Sequence, residues 1–96
     1  MSKQKPKGAD AYITMAIRGR DYRFARDPHA YGQYLDMLAK SKLAQASQNL
    51  VVTIVHQEDK EVLRELMDEN PGVAVQVAGA WIEEYAPEEE ILVKKP

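Results

Sequence analysis

The sequence contains no cysteine, one tryptophan, one phenylalanine and no long hydrophobic run. Without cysteine the chain can form no disulfide, thiolate nucleophile or cysteine-ligated zinc site. No segment approaches the roughly twenty consecutive apolar residues that a membrane-spanning helix needs. No apolar segment follows the basic residues 1–8, as it would in a signal peptide, so we expect a cytoplasmic protein.

The composition is that of one small globular domain, because the 96 residues are 45% hydrophobic and 29% charged. A core of this size leaves little room for a large buried active site. The charge is unevenly distributed: residues 1–50 hold nine Lys or Arg against four Asp or Glu, and residues 51–96 hold four against eleven. This asymmetry is compatible with contacts between the two halves and with head-to-tail self-association.

The first half begins with a flexible basic tail at residues 1–10, which show no apolar periodicity, and continues with a β-hairpin. YITMAI at 12–17 and YRFAR at 22–26 each alternate apolar and polar residues around a glycine-containing turn. A period of two on both sides of such a turn predicts a hairpin. The side chains expected on its buried face are Ile13, Met15, Ile17, Tyr22 and Phe24. The arginines expected at the turn or on the face toward water are Arg18, Arg20, Arg23 and Arg26.

Three helices are predicted from apolar residues at spacings of three and four. Asp27 and Pro28 predict the start of the first, because Asp caps free N–H groups and Pro suits the first helical position. The second spans 57–69 and stops at Asn70-Pro71-Gly72, and the third ends before Pro87. The apolar stripes consist of Tyr31, Tyr34, Leu35 and Leu38; of Val62, Leu63, Leu66 and Met67; and of Ala74, Val77, Ala78, Trp81, Ile82 and Tyr85.

Residues 50–55 have no assignment from periodicity, because a buried strand and a buried helical turn look alike over so short a run. We predict an α+β fold in which an N-terminal hairpin packs on three to four helices. The single domain is expected to span residues 11–86. Residues 87–96 are expected to form a C-terminal tail that is acidic, then briefly apolar at 91–93, then basic.

The sequence contains no recognisable constellation for catalysis. His29 and His56 do not lie with other ligands at metal-binding spacing. No glycine-flanked nucleophile turn or phosphate-binding loop is present, and the glutamates at 83–84 and 88–90 are typical of a solvated helix end. We therefore expect no enzyme, no metal and no cofactor.

The arginines of the hairpin are compatible with nucleic-acid binding, since aromatic side chains on a sheet stack on bases while arginines hold phosphates. The isoelectric point of about 5.7 and the acidic second half oppose this interpretation. A small nucleic-acid-binding regulator remains the alternative to a protein that binds other proteins.

Three features of residues 12–86 together suggest a family. They are a hairpin that leads into the Asp27-Pro28 helix, QNLVV before the acidic helix EDKEVLRELM, and NPG before the Trp81 helix. This order resembles the small tail assembly chaperones of long-tailed bacteriophages. The resemblance implies a non-enzymatic protein of the host cell cytoplasm that binds the tape-measure protein and keeps it soluble while tail tube subunits assemble around it.

The candidate contacts with such a partner are the aromatic and charged side chains suited to an interface. Core burial is the other role open to the aromatic ones. The candidates are Arg20, Arg23, Tyr31, Tyr34, Trp81, Glu83, Glu84 and Tyr85.

Overall fold

The chain folds into a two-stranded hairpin followed by four helices, as seen in a computed structural model that describes residues 11–86 and 91–95. The predicted α+β fold class is confirmed. The expected tail at 1–10 lies outside the described residues, as do positions 87–90 and 96 of the expected C-terminal tail. The elements are β1 (Tyr12–Ile17), β2 (Arg20–Ala25), α1 (Pro28–Ala39), α2 (Leu43–Ile54), α3 (Gln57–Glu69) and α4 (Gly72–Tyr85).

The hairpin places the apolar side chains that its alternating pattern predicts on one face. Ile13 lies opposite Phe24, and Met15 lies opposite Tyr22. Ile13, Tyr22 and Phe24 are buried, whereas Met15 is partly buried against the same core. Pairing of alternate residues therefore places one apolar face of the hairpin on the helices.

A two-residue turn closes the hairpin in the left-handed region of backbone space. Arg18 has φ 55° and Gly19 has φ 79°. Turns with positive φ at both central residues match the twist of the flanking strands, and glycine adopts this conformation without steric cost.

Replacement of Gly19 with alanine is expected to lower the free energy of unfolding by about 1 kcal/mol, because L-residues are strained at positive φ. An added Cβ at Gly19 meets no atom within 4 Å, so the whole effect is conformational. Urea denaturation measures it. The matched control is Gly32→Ala at an exposed position of α1, where a Cβ also meets open space and should stabilise the protein by about 0.5 kcal/mol or more. Equal effects of the two substitutions would contradict the turn assignment.

Helix α1 begins at the position that the sequence predicts. The Asp27 carboxylate accepts hydrogen bonds from the backbone N–H groups of His29 at 3.0 Å and Ala30 at 3.1 Å. Pro28 occupies the first turn. The cap satisfies N–H groups that have no partner inside the helix.

The segment at 50–55 is helical through Ile54, and Val55 forms a single antiparallel bridge to Phe24 of β2. Within α2, Ala46, Leu50 and Ile54 are all buried at a spacing of four. Burial against α1 and α4 therefore stabilises this segment as a helix. The run of β-branched residues by itself would favour a strand.

The core lies where α2 and α4 meet the apolar face of the hairpin. Its largest fully buried side chains include Trp81, Phe24 and Ile54. Two residues expected on buried stripes are instead exposed, Leu35 at 46% and Val62 at 39%. The physical reason is that a helix contacts its neighbours over a limited arc, so the edge of a broad apolar stripe remains in water.

Candidate functional site

The candidate contact residues fall into two groups. Four aromatic side chains on α1 and α4 touch one another and form what we name the aromatic cluster: Tyr31, Tyr34, Trp81 and Tyr85. The two arginines of β2 contact carboxylates at the start of α3 and form what we name the arginine network: Arg20, Arg23, Glu58 and Asp59.

Tyr31 lies at the centre of the aromatic cluster. Its ring centroid is 6.4 Å from that of Tyr34, 6.1 Å from that of Trp81 and 5.8 Å from that of Tyr85. Trp81 and Tyr85 stack with centroids 4.4 Å apart and planes 12° from parallel. Stacked and edge-to-face contacts at these distances are favourable for aromatic rings, so the cluster holds its members in fixed orientations.

The base of the aromatic cluster is buried and hydrogen-bonded. Trp81 is fully buried, and its indole Nε1–H donates to the backbone oxygen of Ala25 at 3.1 Å. This bond ties α4 to the end of β2. Tyr34 is also buried.

The outer part of the aromatic cluster reaches solvent. Tyr31 and Tyr85 are half-buried, and Glu83 and Glu84 beside Tyr85 are exposed. Leu35 follows Tyr31 by one helical turn on the same face of α1 and is exposed. Tyr31, Leu35 and Tyr85 therefore form a small apolar patch at the surface. Glu83 and Glu84 lie on other faces of α4, because residues one and two positions apart on a helix do not face each other, and Glu84 lines a groove beside β1.

Leu35 was missed as a candidate contact, because its spacing from Tyr31 fits a buried stripe equally well. Its exposure depends on how far α2 and α4 wrap around α1. The only signal in the sequence is the spacing of four, which places the two side chains on one face.

The arginine network is built around a buried carboxylate. Asp59 accepts hydrogen bonds from the backbone N–H of Arg23 at 2.9 Å and from its Nε at 3.3 Å. The Nη2 of Arg20 lies 3.5 Å from the other carboxylate oxygen of Asp59. The exposed Glu58 accepts from Nη2 of Arg23 at 3.1 Å. Charge and hydrogen bonds thus lock the start of α3 to β2.

The pKa of Asp59 reflects two opposing effects. Burial by itself raises this pKa, but the backbone and side-chain hydrogen bonds from Arg23, with the positive charges of Arg23 and Arg20, outweigh it. The pKa of Asp59 is therefore lower than its ordinary value. The hydrogen bonds to Asp59 and then to Glu58 raise the pKa of Arg23. The carboxylate is stabilised in its charged form.

Backbone between α2 and α3 covers the outer edge of β2. The N–H of His56 donates to the backbone oxygen of Arg23 at 2.7 Å. The Nδ1 of His56 accepts from the N–H of Glu58 at 3.0 Å and so caps α3. Covering an edge strand in this way prevents it from pairing with another chain.

The hairpin arginines are engaged inside the molecule. Arg18 lies 3.4 Å from Glu69, and Arg20 lies over the ring of Tyr22 with its Cζ 4.6 Å from the centroid. Acidic partners of these arginines come from α3, more than thirty residues away in the chain. The sequence alone shows the opposite charges of the two halves, and the fold brings them together.

Two further findings concern residues 11–86 and 91–95 only. Within them, His, Asp and Glu side chains form no group of three or more that could hold a metal ion. Over the same part of the chain, no helix combines the length and apolar character needed to cross a membrane.

Three comparisons relate the chain to known proteins. Residues 13–95 match the model of a family described as phage tail assembly chaperone. A curated relative from Haemophilus phage HP1, an uncharacterised 11.3 kDa protein, is 33% identical over 82 residues, which cover 85% of this chain and 79% of the relative. A solved structure of an uncharacterised protein from Bacillus stearothermophilus shares the fold, with a TM-score of 0.69, 23% identity and 86% of each chain covered.

Proposed function

The chain belongs to the phage tail assembly chaperone family, and we propose that it binds the tape-measure protein and keeps it soluble in the host cell cytoplasm while tail tube subunits assemble around it. The membership confirms the resemblance found in the sequence. Chaperone families act by binding, and this supports a role without catalysis. The tape-measure protein as client is the part of the proposal to be tested.

The client-binding surface consists of Tyr31, Leu35 and Tyr85, and the exposed Glu83 and Glu84 lie on adjoining faces of α4. Half-buried tyrosines held by the rest of the aromatic cluster present apolar area with little remaining side-chain freedom. Binding through such rings therefore loses little conformational entropy. This pre-oriented pair of tyrosines is the observation that carries the proposal.

The surface suits the apolar stripe of an amphipathic client helix. Such stripes dock on apolar grooves and patches through residues spaced by three and four. The negative charges of Glu83 and Glu84 on the same helix favour a client that carries lysine or arginine near its apolar stripe, because opposite charges increase specificity and the association rate. The contact is expected to be transient, since the tube must later replace the chaperone.

The remaining candidate contacts have supporting roles in this proposal. Trp81 and Tyr34 are buried and orient the outer tyrosines from beneath. The side chains of Arg20 and Arg23 keep 41% and 39% of their surface exposed, but they pair with Asp59 and Glu58, so in this proposal they hold the hairpin on α3 and lie outside the client-binding surface. Their carboxylate partners hold them in place.

The proposal is tested by co-expressing the chain with the tape-measure protein of the same phage and measuring how much of that protein stays soluble. Leu35→Lys and Tyr85→Ala are each expected to weaken binding by roughly tenfold, because they charge or remove apolar contacts at the centre of the surface. Titration calorimetry with a soluble tape-measure fragment gives the affinities.

The matched control is Val62→Lys, which charges another exposed apolar side chain, beside the hairpin turn. It should leave affinity within about twofold of the unsubstituted chain, as expected outside a hot spot. Far-ultraviolet circular dichroism checks that each variant is folded. A tape-measure protein that precipitates equally with and without the chain overturns the function. Equal losses in Leu35→Lys and Val62→Lys overturn the surface.

A further inference from the structure

Strand β1 has an open edge among the described residues. The sheet contains only β1 and β2 over this part of the chain. The backbone N–H of Arg23 donates to Asp59 and its C=O accepts from His56. Both groups therefore point away from β1. Because Thr14 lies opposite Arg23, its own N–H and C=O point outward on the other side.

The outer edges of β1 and β2 differ in what covers them. Backbone and side chains of the α2–α3 junction cover the edge of β2. The sequence of β1, YITMAI, contains no charged residue and no proline. Charges and prolines are the usual means by which proteins prevent an edge strand from pairing. An edge without them is suited to accept another strand.

A groove of 490 Å³ runs beside this edge. It is lined by residues 12–15 of β1, by Arg26, and by Ala80 and Glu84 of α4. The small side chain of Ala80 lets another backbone approach. An extended segment placed in the groove would pair with β1 and pack one side against α4.

The chain itself carries a segment suited to pair as a strand. Ile91, Leu92 and Val93 are 81%, 73% and 82% exposed and belong to no strand. These side chains favour extended structure and lose contact with water when a sheet buries them. The segment lies inside the region that matches the family, which extends through residue 95.

We propose that the open edge of β1 binds the segment Ile91–Val93 of a second copy of this chain as an added strand, which links copies head to tail. In one chain this segment is exposed and belongs to no strand, so it is available to a second copy. An antiparallel arrangement brings Lys94 and Lys95 toward the beginning of β1, where Glu84 and Arg26 line the groove with opposite charges, so the lysines add no net attraction and the backbone pairing carries the contact.

The first experiment is sedimentation velocity of the purified full-length chain without any client, over a range of concentrations. The average mass is expected to rise with concentration. Thr14→Pro removes the outward N–H, and Leu92→Pro removes the N–H of the donated segment. Each is expected to weaken association at least tenfold, because the added strand loses backbone hydrogen bonds.

Matched controls are Thr14→Ala, which keeps the N–H, and Lys95→Pro, which lies beyond the apolar segment. Both should associate like the unsubstituted chain. Circular dichroism shows whether Thr14→Pro remains folded. If it does not, the Leu92→Pro variant carries the test, because its substitution lies in an exposed segment outside the folded core.

A mixture of the two proline variants gives the sharpest result. Thr14→Pro retains an intact donor segment, and Leu92→Pro retains an intact edge, so the mixture should form dimers that neither variant forms alone. A head-to-tail arrangement requires this recovery. Failure to recover dimers from two folded variants overturns the proposal.

Hydrogen exchange at the Thr14 amide distinguishes a second copy from the segment of the same chain as the occupant of the groove. Protection that increases with concentration is expected. Protection that is independent of concentration and disappears in Leu92→Pro would show that the segment binds its own chain and would overturn the second copy. A chain that is monomeric at every attainable concentration would also overturn it. All of these measurements use the chain alone, so they do not depend on whether the tape-measure protein is the client.

Discussion

Replacement of Trp81 with alanine is expected to lower the free energy of unfolding by about 4 kcal/mol, as for other large buried aromatic residues. Trp81 has no exposed surface, donates to the Ala25 oxygen at 3.1 Å and stacks on Tyr85 at 4.4 Å. The substitution leaves a cavity, a partly buried Ala25 carbonyl without its donor and two tyrosines without their support.

The loss is large relative to the whole stability of a small domain, which is about 5 to 15 kcal/mol. Urea denaturation followed by circular dichroism measures it, because the variant has no tryptophan fluorescence. Trp81→Phe keeps most of the ring volume and should lose about half as much. Ile82→Ala, at a partly buried neighbour on α4, is the control and should lose less still. A Trp81→Ala loss below about 1 kcal/mol would mean that this ring does not support the core.

Replacement of Asp59 with alanine is expected to lower the free energy of unfolding by about 3 kcal/mol, because it removes one partner from a buried ionic network. The backbone N–H of Arg23 then loses its acceptor, and the guanidinium of Arg20 loses its counter-charge. Asp59→Asn keeps an acceptor without the charge and should have about half the effect. The Arg20 contact with Tyr22 remains in both variants.

The same network predicts a dependence of stability on pH. The pKa of Asp59 is lower in the folded chain than its ordinary value of 3.8, because hydrogen bonds and arginine charges outweigh the opposing effect of burial. A carboxyl with a lowered pKa binds protons less tightly when folded. Its stabilisation is therefore complete above the unfolded pKa and is lost as the pH falls through the lower folded pKa.

Denaturation of the unsubstituted chain and of Asp59→Asn from about pH 7 to about pH 2 measures this linkage. The difference in stability between them should shrink as the pH falls below the ordinary value of 3.8. Glu58→Gln is the control, since 75% of the Glu58 side chain is exposed and surface ion pairs contribute little. A difference that stays constant to the lowest pH would contradict the role of the Asp59 charge.

The hairpin, α1, α3 and α4 were predictable because their signals are local. Alternation around Gly19, the Asp27 cap and the helical spacing before Trp81 each involve residues close in the chain. The structure agrees with all three. Local signals also carried the family resemblance, which the match over residues 13–95 confirms.

For residues 50–55 the local sequence did not predict the secondary structure. β-branched residues favour strands, but Leu50 and Ile54 are buried at helical spacing against neighbours contributed by α1 and α4. Tertiary burial can override the intrinsic preference of a short run. Leu35 is the converse case, since its apolar character predicts burial and the limited reach of the neighbouring helices leaves it exposed.

The sequence by itself determined the fold class, the hairpin and its buried face, three helices and the family, since periodicity, caps and turns depend on nearby residues. Tertiary structure decided that Asp59 binds the hairpin arginines, that Trp81 supports rather than forms the surface, and that one edge of the hairpin is covered while the other is open. These outcomes depend on distances between residues far apart in the chain. Packing sets such distances, and no local pattern contains them.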